Sequence, residues 1–212
     1  MPDKYNEIIQ LVHPLFDIFL SHNYQSQFKT EEEFFKYLSS NKEELIKLNT
    51  LVKSYKKVIS IIKTQKPNAL FVIINPLDSE ILDGDIQSKA HKKAVNELMS
   101  YAKQELKDRF EYTSFDPGLG NNNLFKKEEI YERLNRNLKV YSFGEYADAC
   151  ASTWLEHTCE NLQERRFNII DARIIRNRSI TLSPNSIKTH LDKKIKLKQE
   201  RFKVKQNTRK IR

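Results

Sequence analysis

Two cysteines occur in the 212 residues, Cys150 and Cys159, and the first stands where a thiol could do chemistry. It falls in YSFGEYADACASTWLEH, residues 141–157, where an apolar run closes on Gly144 and a helical pattern opens at about Asp148. In the first turn of that helix, free amide hydrogens and the helix dipole would stabilise a thiolate, and the same amides would stabilise an oxyanion. The chemistry would be attack by Cys150 on a carbonyl or imine carbon, with a neighbouring imidazole or carboxylate moving the proton. His13 and Asp17, in HPLFDIF, are the candidates for that base. Asp116, Glu145, Asp148 and Arg173 are the candidates to hold a substrate, Arg173 through the bidentate grip a guanidinium offers a carboxylate or phosphate. The same residues also have plainer readings. Cys150 lies between Ala149 and Ala151, as a small residue packing a helix close to a sheet would. His13, before Pro14, could hydrogen-bond its own loop, and the arginines of DARIIRNRS could form a solvated rim. Cys159, about half a helical circle further round, reads as packing.

Metal and cofactor chemistry find little footing. His13, Asp17, Asp116 and Glu145 carry nitrogen and oxygen donors, but their scattered spacing does not demand a metal and none is assigned. The C-x8-C spacing matches no common zinc or redox pattern. With glycine only at 84, 118, 120 and 144, no glycine-rich phosphate loop can be written, so a dinucleotide is disfavoured and no cofactor is assigned.

The elements that must position these residues alternate. EIIQLVHP (7–14), ALFVIINP (69–76), FEYTSF (110–115), LKVYSF (138–143) and RFNIIDARI (166–174) read as strands, the second apolar on both faces as a central parallel strand requires. Residues 30–39, 41–64, 86–107, 125–137 and 148–163 read as helices. The longest, 41–64, carries Leu45, Leu48, Val52, Tyr55, Ile59 and Ile62 as one apolar stripe. This alternation predicts an α/β fold over residues 1–184: three α/β/α layers around a mainly parallel sheet of five to six strands. Ligands in such folds bind beyond the carboxyl ends of the strands. That rule selects the loops His13–Asp17, Asn75–Glu80, Ser114–Asn123, Gly144–Cys150 and Asp171–Ser179.

The pattern G144-x-x-x-D148-x-C150 after an apolar strand, followed by helix and then RFNIIDA, resembles the nucleophile segment of the isochorismatase-like cysteine hydrolases, a family that includes nicotinamidases. Gly144, Asp148, Cys150, Asp171 and Ala172 stand at matching places, and the resemblance covers residues 124–172. It implies Cys150 as nucleophile, beside an Asp at the end of the first strand and a Lys at the end of the third. The chain departs from that set. His13 occupies the place of the Asp, with Asp17 four residues on, and FEYTSFDPG offers no Lys. The Thr expected before Asp148 is Ala147, and the Val after the cysteine is Ala151.

Charge is distributed unevenly. Residues 185–212 hold 11 of the 37 Lys and Arg but only 2 of the 28 acids, so residues 1–184 carry 26 of each and the net +9 belongs to the C-terminal segment. Lys193, Lys194, Lys196, Lys198, Arg201, Lys203, Lys205, Arg209, Lys210 and Arg212 could contact RNA or DNA phosphates, with an affinity that falls as salt rises. This basic C-terminal tail is expected to be partly helical or disordered. A solvated terminus without a partner is the plainer reading. The two reduced cysteines, the absence of a signal-like start in MPDKYNEIIQ and the absence of a long apolar run fit a cytoplasmic protein without membrane insertion; a homo-oligomer is compatible. Two function classes follow: a divergent isochorismatase-like hydrolase, active or inactive, with a cysteine nucleophile, and a non-enzymatic α/β binding protein whose tail holds nucleic acid.

Overall fold

The run Ala69–Asn75 forms strand β2, and every one of its residues is buried, because both of its faces are covered. The computed structural model describes residues 4–20, 28–75, 86–114, 125, 128–145 and 150–175. Beside β2 lie β1 (Tyr5–Val12), β3 (Phe110–Ser114), β4 (Leu134–Gly144) and β5 (Asn168–Ile174). All four neighbouring pairs are parallel, in the order β3-β2-β1-β4-β5. Five strands are present among the described residues, which settles the expected five to six for that part of the chain.

Helices cover both faces. On one side are α1 (Phe16–Leu20), α2 (Glu31–Ser40), α3 (Lys42–Gln65) and α4 (Ile86–Leu106). Phe71 and Ile73 of β2 point to this side and join Phe34, Tyr55, Ile59, Ile62, Leu98 and Phe143 in one cluster. Leu70, Val72 and Ile74 point to the other side, toward α5 (Glu128–Glu132) and α6 (Cys150–Glu164), with Trp154, Leu155 and Leu162. The period-2 alternation of β2 is thus what separates the two layers. Capping residues fix where the long helices begin. Thr30 Oγ1 accepts from the Glu33 amide at 3.2 Å, and Asn41 Oδ1 accepts from the Glu44 amide at 3.3 Å.

One expected boundary is corrected. The helix anticipated over 125–137 is the short α5, and β4 starts at Leu134 instead of 138. Ile130, Leu134 and Leu138 are spaced four apart, which suits a helix, but Leu134 and Leu138 are also both even positions of a strand. Tyr5 decides the matter: its amide donates to Arg133 O at 2.8 Å and it pairs with Leu134, with a register irregularity before Glu7 meets Lys139. The position of the same parity between the two leucines is Arg136, which is exposed and lays its guanidinium over the Phe167 ring at 5.1 Å, so the strand pattern was disguised by a cation.

Val12 of β1 is level with Ile74 of β2 and Gly144 of β4, so three strands end together. The chain builds outward from β1 to β2 and β3 on one side, and from β4 to β5 on the other. The boundary between β1 and β4 is therefore the topological switch point, where a parallel sheet leaves a crevice at its carboxyl edge.

Candidate functional site at the β1–β4 outlet

Gly144 makes the close approach at this edge possible. Its φ is +131°, and a Cβ there would stand 2.1 Å from the Val12 carbonyl oxygen. With that space free, the Glu145 amide donates to Val12 O at 3.2 Å, and the Glu145 side chain turns into the β1–α1 corner. The corner itself is strained: His13 and Leu15 have φ of 49° and 65°, a left-handed conformation that costs a non-glycine residue about 1 kcal/mol or more.

Glu145 is fully buried. Its Oε2 accepts the Asp17 amide at the start of α1, while its Oε1 has no hydrogen-bond partner. Burial pushes its carboxyl up to about 8; the Asp17 carboxylate adds to the shift, and the Asp17 and Leu15 amides and the Lys47 ammonium oppose it. Glu145 is therefore mostly a neutral acid at pH 7. Asp17 forms an ion pair with Lys47 of α3. Partial burial acts against the Lys47 ammonium, but Asp17, Glu44 and Glu145 outweigh it and hold Lys47 above its usual value. Tyr55, one layer deeper on α3, is completely buried, and its hydroxyl faces the Leu15 backbone without a hydrogen bond of normal geometry. Burial first and Glu145 second push that phenol well above 10, with the Leu15 backbone working the other way.

The β1–β2 side of the corner carries the histidines. The His13 amide donates to Ile74 O at 2.8 Å, and its ring lies 5.9 Å from Phe16. Burial, with His91 adding repulsion, lowers the His13 imidazole to about 4. His91 of α4 is buried, and its Nε2 lies 2.9 Å from Pro14 O, so Nε2–H donates to that carbonyl. Burial lowers His91 as well, with the Pro14 hydrogen bond opposing. Asn75 Oδ1, at the end of β2, and Gln87 Nε2, one turn before His91 on α4, are both buried and unpartnered. At neutral pH the corner thus presents uncharged hydrogen-bonding groups around one ion pair.

Cys150 is the first residue of α6, is half-buried, and packs against the α6-side cluster with Val12 and Trp154. The structure therefore brings Asp17 and Glu145 together in the layer of α1, α3 and α4, and sets Cys150 in the opposite layer. Cys159 is 1% exposed with its thiol pushed up to about 12 by burial and the nearby Glu160 and Glu156, which makes it inert packing as expected. Arg173 lies on edge strand β5 opposite Tyr141, not at the outlet, and its Nε donates to Asp171 Oδ1 at 2.9 Å. Asp116, Asp148 and the ten tail cations from Lys193 to Arg212 lie outside the described residues. Among the described residues no group of three or more His, Cys, Asp or Glu could hold a metal ion.

Sequence reasoning missed Lys47, Tyr55, His91, Asn75 and Gln87. Two signals were present: Asn75 is a polar residue closing an otherwise apolar central strand, and Tyr55 brings a hydroxyl into the apolar stripe of α3. No helix among the described residues is long and apolar enough to cross a membrane. No protein family, curated protein or solved structure matches this chain.

Proposed function

We propose that this protein is a divergent isochorismatase-like protein in which hydrolysis has lapsed, and that its β1–β4 outlet binds a small uncharged molecule without covalent chemistry. The strand order β3-β2-β1-β4-β5 and a cysteine opening the helix after β4 support the resemblance. The observation that carries the lapse is the state of His13. For an ordinary imidazole near 6.5 to take the proton of a free thiol near 8.5 is uphill by roughly 3 kcal/mol. With His13 lowered to about 4, the same transfer is uphill by roughly 6 kcal/mol, and the imidazole sits in the layer away from Cys150. Glu145, raised to about 8, is a proton donor at pH 7 and gives the thiol no base either. What remains is recognition. Asn75 Oδ1, Gln87 Nε2, Tyr55 Oη and Glu145 Oε1 are buried without a hydrogen bond of normal geometry, and such atoms are satisfied by a ligand or an ordered water. The test is alkylation of Cys150 by iodoacetamide at pH 7, followed by mass spectrometry. Labelling no faster than that of glutathione is expected; labelling more than tenfold faster would restore the hydrolase.

A second reading concerns the C-terminal segment, favoured by the concentration of the whole net charge in residues 185–212. There the tail holds RNA or DNA through its phosphates. Replacing Lys193, Lys194, Lys196 and Lys198 by Gln should lower the salt dependence of binding by about 3 in log–log slope, taking ~0.7 per single-strand contact; an unchanged slope removes the tail from the interface.

A further inference from the structure

The zero net charge of residues 1–184 hides a polarised body. From Leu45 to Gln65, α3 carries Lys47, Lys53, Lys56, Lys57 and Lys63 and no acid. On α4, Lys89, Lys92 and Lys93 precede Glu97. In the opposite layer the pattern inverts: α5 and α6 contain Glu128, Glu129, Glu132, Glu156, Glu160 and Glu164 and no Lys or Arg. The acids of the α3–α4 layer gather elsewhere, at Glu31, Glu32 and Glu33 of α2, at Glu43 and Glu44 in the first turn of α3, and at Glu97 and Glu105 of α4, so the lysines form a local basic patch opposite an acidic layer, and such a patch creates a directed field.

We propose that the α3–α4 face docks a single-stranded nucleic acid through its phosphates. Lys47 and Lys63 are taken up by ion pairs with Asp17 and Glu105. Lys53, Lys56, Lys57, Lys89 and Lys93 are all exposed. The two helices present them on one continuous surface, since the Lys56 ammonium of α3 lies 5.1 Å from the centre of the Tyr101 ring of α4. A groove of about 640 Å³ runs along α4 past Lys89, Lys93 and Tyr101, with Asn96, Ser100 and Gln104 supplying neutral donors and Glu97 the one carboxylate of its lining. Within each helix the lysines recur at about one 5.4 Å turn, and packed helices lie roughly 8–10 Å apart, separations that the phosphates of a flexible strand can follow. A lipid surface fits less well, because binding in a bilayer interface needs large apolar side chains among the cations. Phe35, Ile46 and Ile170 are the large exposed hydrophobics among the described residues, and none lies within 53–57 or 89–93.

The experiment measures fluorescence anisotropy of a labelled 20-nucleotide oligouridine, and of a DNA strand of equal length, against the full-length protein in KCl of increasing concentration. Lys53→Gln/Lys57→Gln/Lys93→Gln is compared with Lys4→Gln/Lys29→Gln/Lys36→Gln, which removes the same charge from elsewhere on the surface. At ~0.7 per contact, the first set should lower the slope of log K on log salt by about 2 and weaken binding at least tenfold near 100 mM, while the second leaves the slope nearly unchanged. The inference is overturned if the two sets have equal effects, if neither changes the slope, if the wild-type chain binds neither strand, or if it binds phosphatidylserine vesicles but no nucleic acid. All six substituted lysines are exposed, and circular dichroism melts check that both variants keep the fold.

Discussion

Replacing Glu145 by Gln should reverse its effect on stability between acid and alkaline pH. The folded-state carboxyl titrates at about 8 against the usual 4.5, so between those values the native protein holds a proton that the unfolded chain releases. A native state that binds more protons loses stability as pH rises. The contribution is therefore fully present below 4.5 and is lost as pH climbs to 8. The loss is about 1.4 kcal/mol per pH unit, or roughly 3 kcal/mol by pH 7 and 5 above pH 8. Gln cannot ionise, and its carbonyl can still accept the Asp17 amide that Oε2 accepts now. Its NH2 enters the site of the unpartnered Oε1, at a cost of roughly 1–2 kcal/mol. The variant should accordingly be slightly less stable than wild type at pH 4.5 and more stable at pH 7 and above. Urea denaturation of both proteins in half-unit steps from pH 4.5 to 9 reads the difference. Taking the difference matters, because His13 gives the wild type an opposing slope at the acid end that both proteins share. Parallel curves, with the gap constant from pH 5 to 9, would refute a buried carboxyl held in its acid form.

Other substitutions probe the same corner. His13→Asn should flatten the acid limb: an imidazole lowered from 6.5 to about 4 contributes stability that is present above pH 6.5 and lost as pH falls toward 4, roughly 3 kcal/mol in all, read by denaturation at pH 4 and 7. Gly144→Ala places a methyl 2.1 Å from the Val12 oxygen at a φ of +131°, so a loss of about 4 kcal/mol is expected by thermal or chemical melting; less than 1 would mean that the strand ends part easily. Tyr55→Phe removes a buried hydroxyl that has no hydrogen bond of normal geometry, and should be neutral or stabilising by up to about 1 kcal/mol in denaturation. A loss of 2 kcal/mol or more would show that the hydroxyl is engaged.

Periodicity made the frame legible. The six-residue apolar run before Asn75, the stripe along α3 and the strand-helix alternation each followed from where water is excluded, and apart from α5 and the start of β4 the elements lie within about two residues of their expected places. Periodicity failed where two periods coincide, as at Leu134 and Leu138, and where an element is too short to show one, as at α1. The outlet was located by the strand-end rule, which brought His13, Asp17 and Glu145 into consideration. What the rule could not supply is partnership across layers. Lys47 meets Asp17 across 30 residues, His91 meets Pro14 across 77, and Glu145 meets Asp17 across 128, contacts that depend on helix packing and leave no mark in local spacing. The ionisation states were equally hidden, since a carboxyl at 8 and an imidazole at 4 are consequences of burial. The polarity of the two helical layers was concealed in a different way: a sum over residues 1–184 is zero, and only the assignment of α3 and α4 to one side and α5 and α6 to the other reveals the separation.

The proposed lapse of hydrolysis stands or falls with the imidazole at position 13, and an NMR titration of His13, in wild type and in Cys150→Ala, observes that imidazole directly. A midpoint of about 4 in both proteins is predicted. A midpoint at or above 7 that drops when the thiol is removed is the signature of a thiolate–imidazolium pair, and would contradict the account.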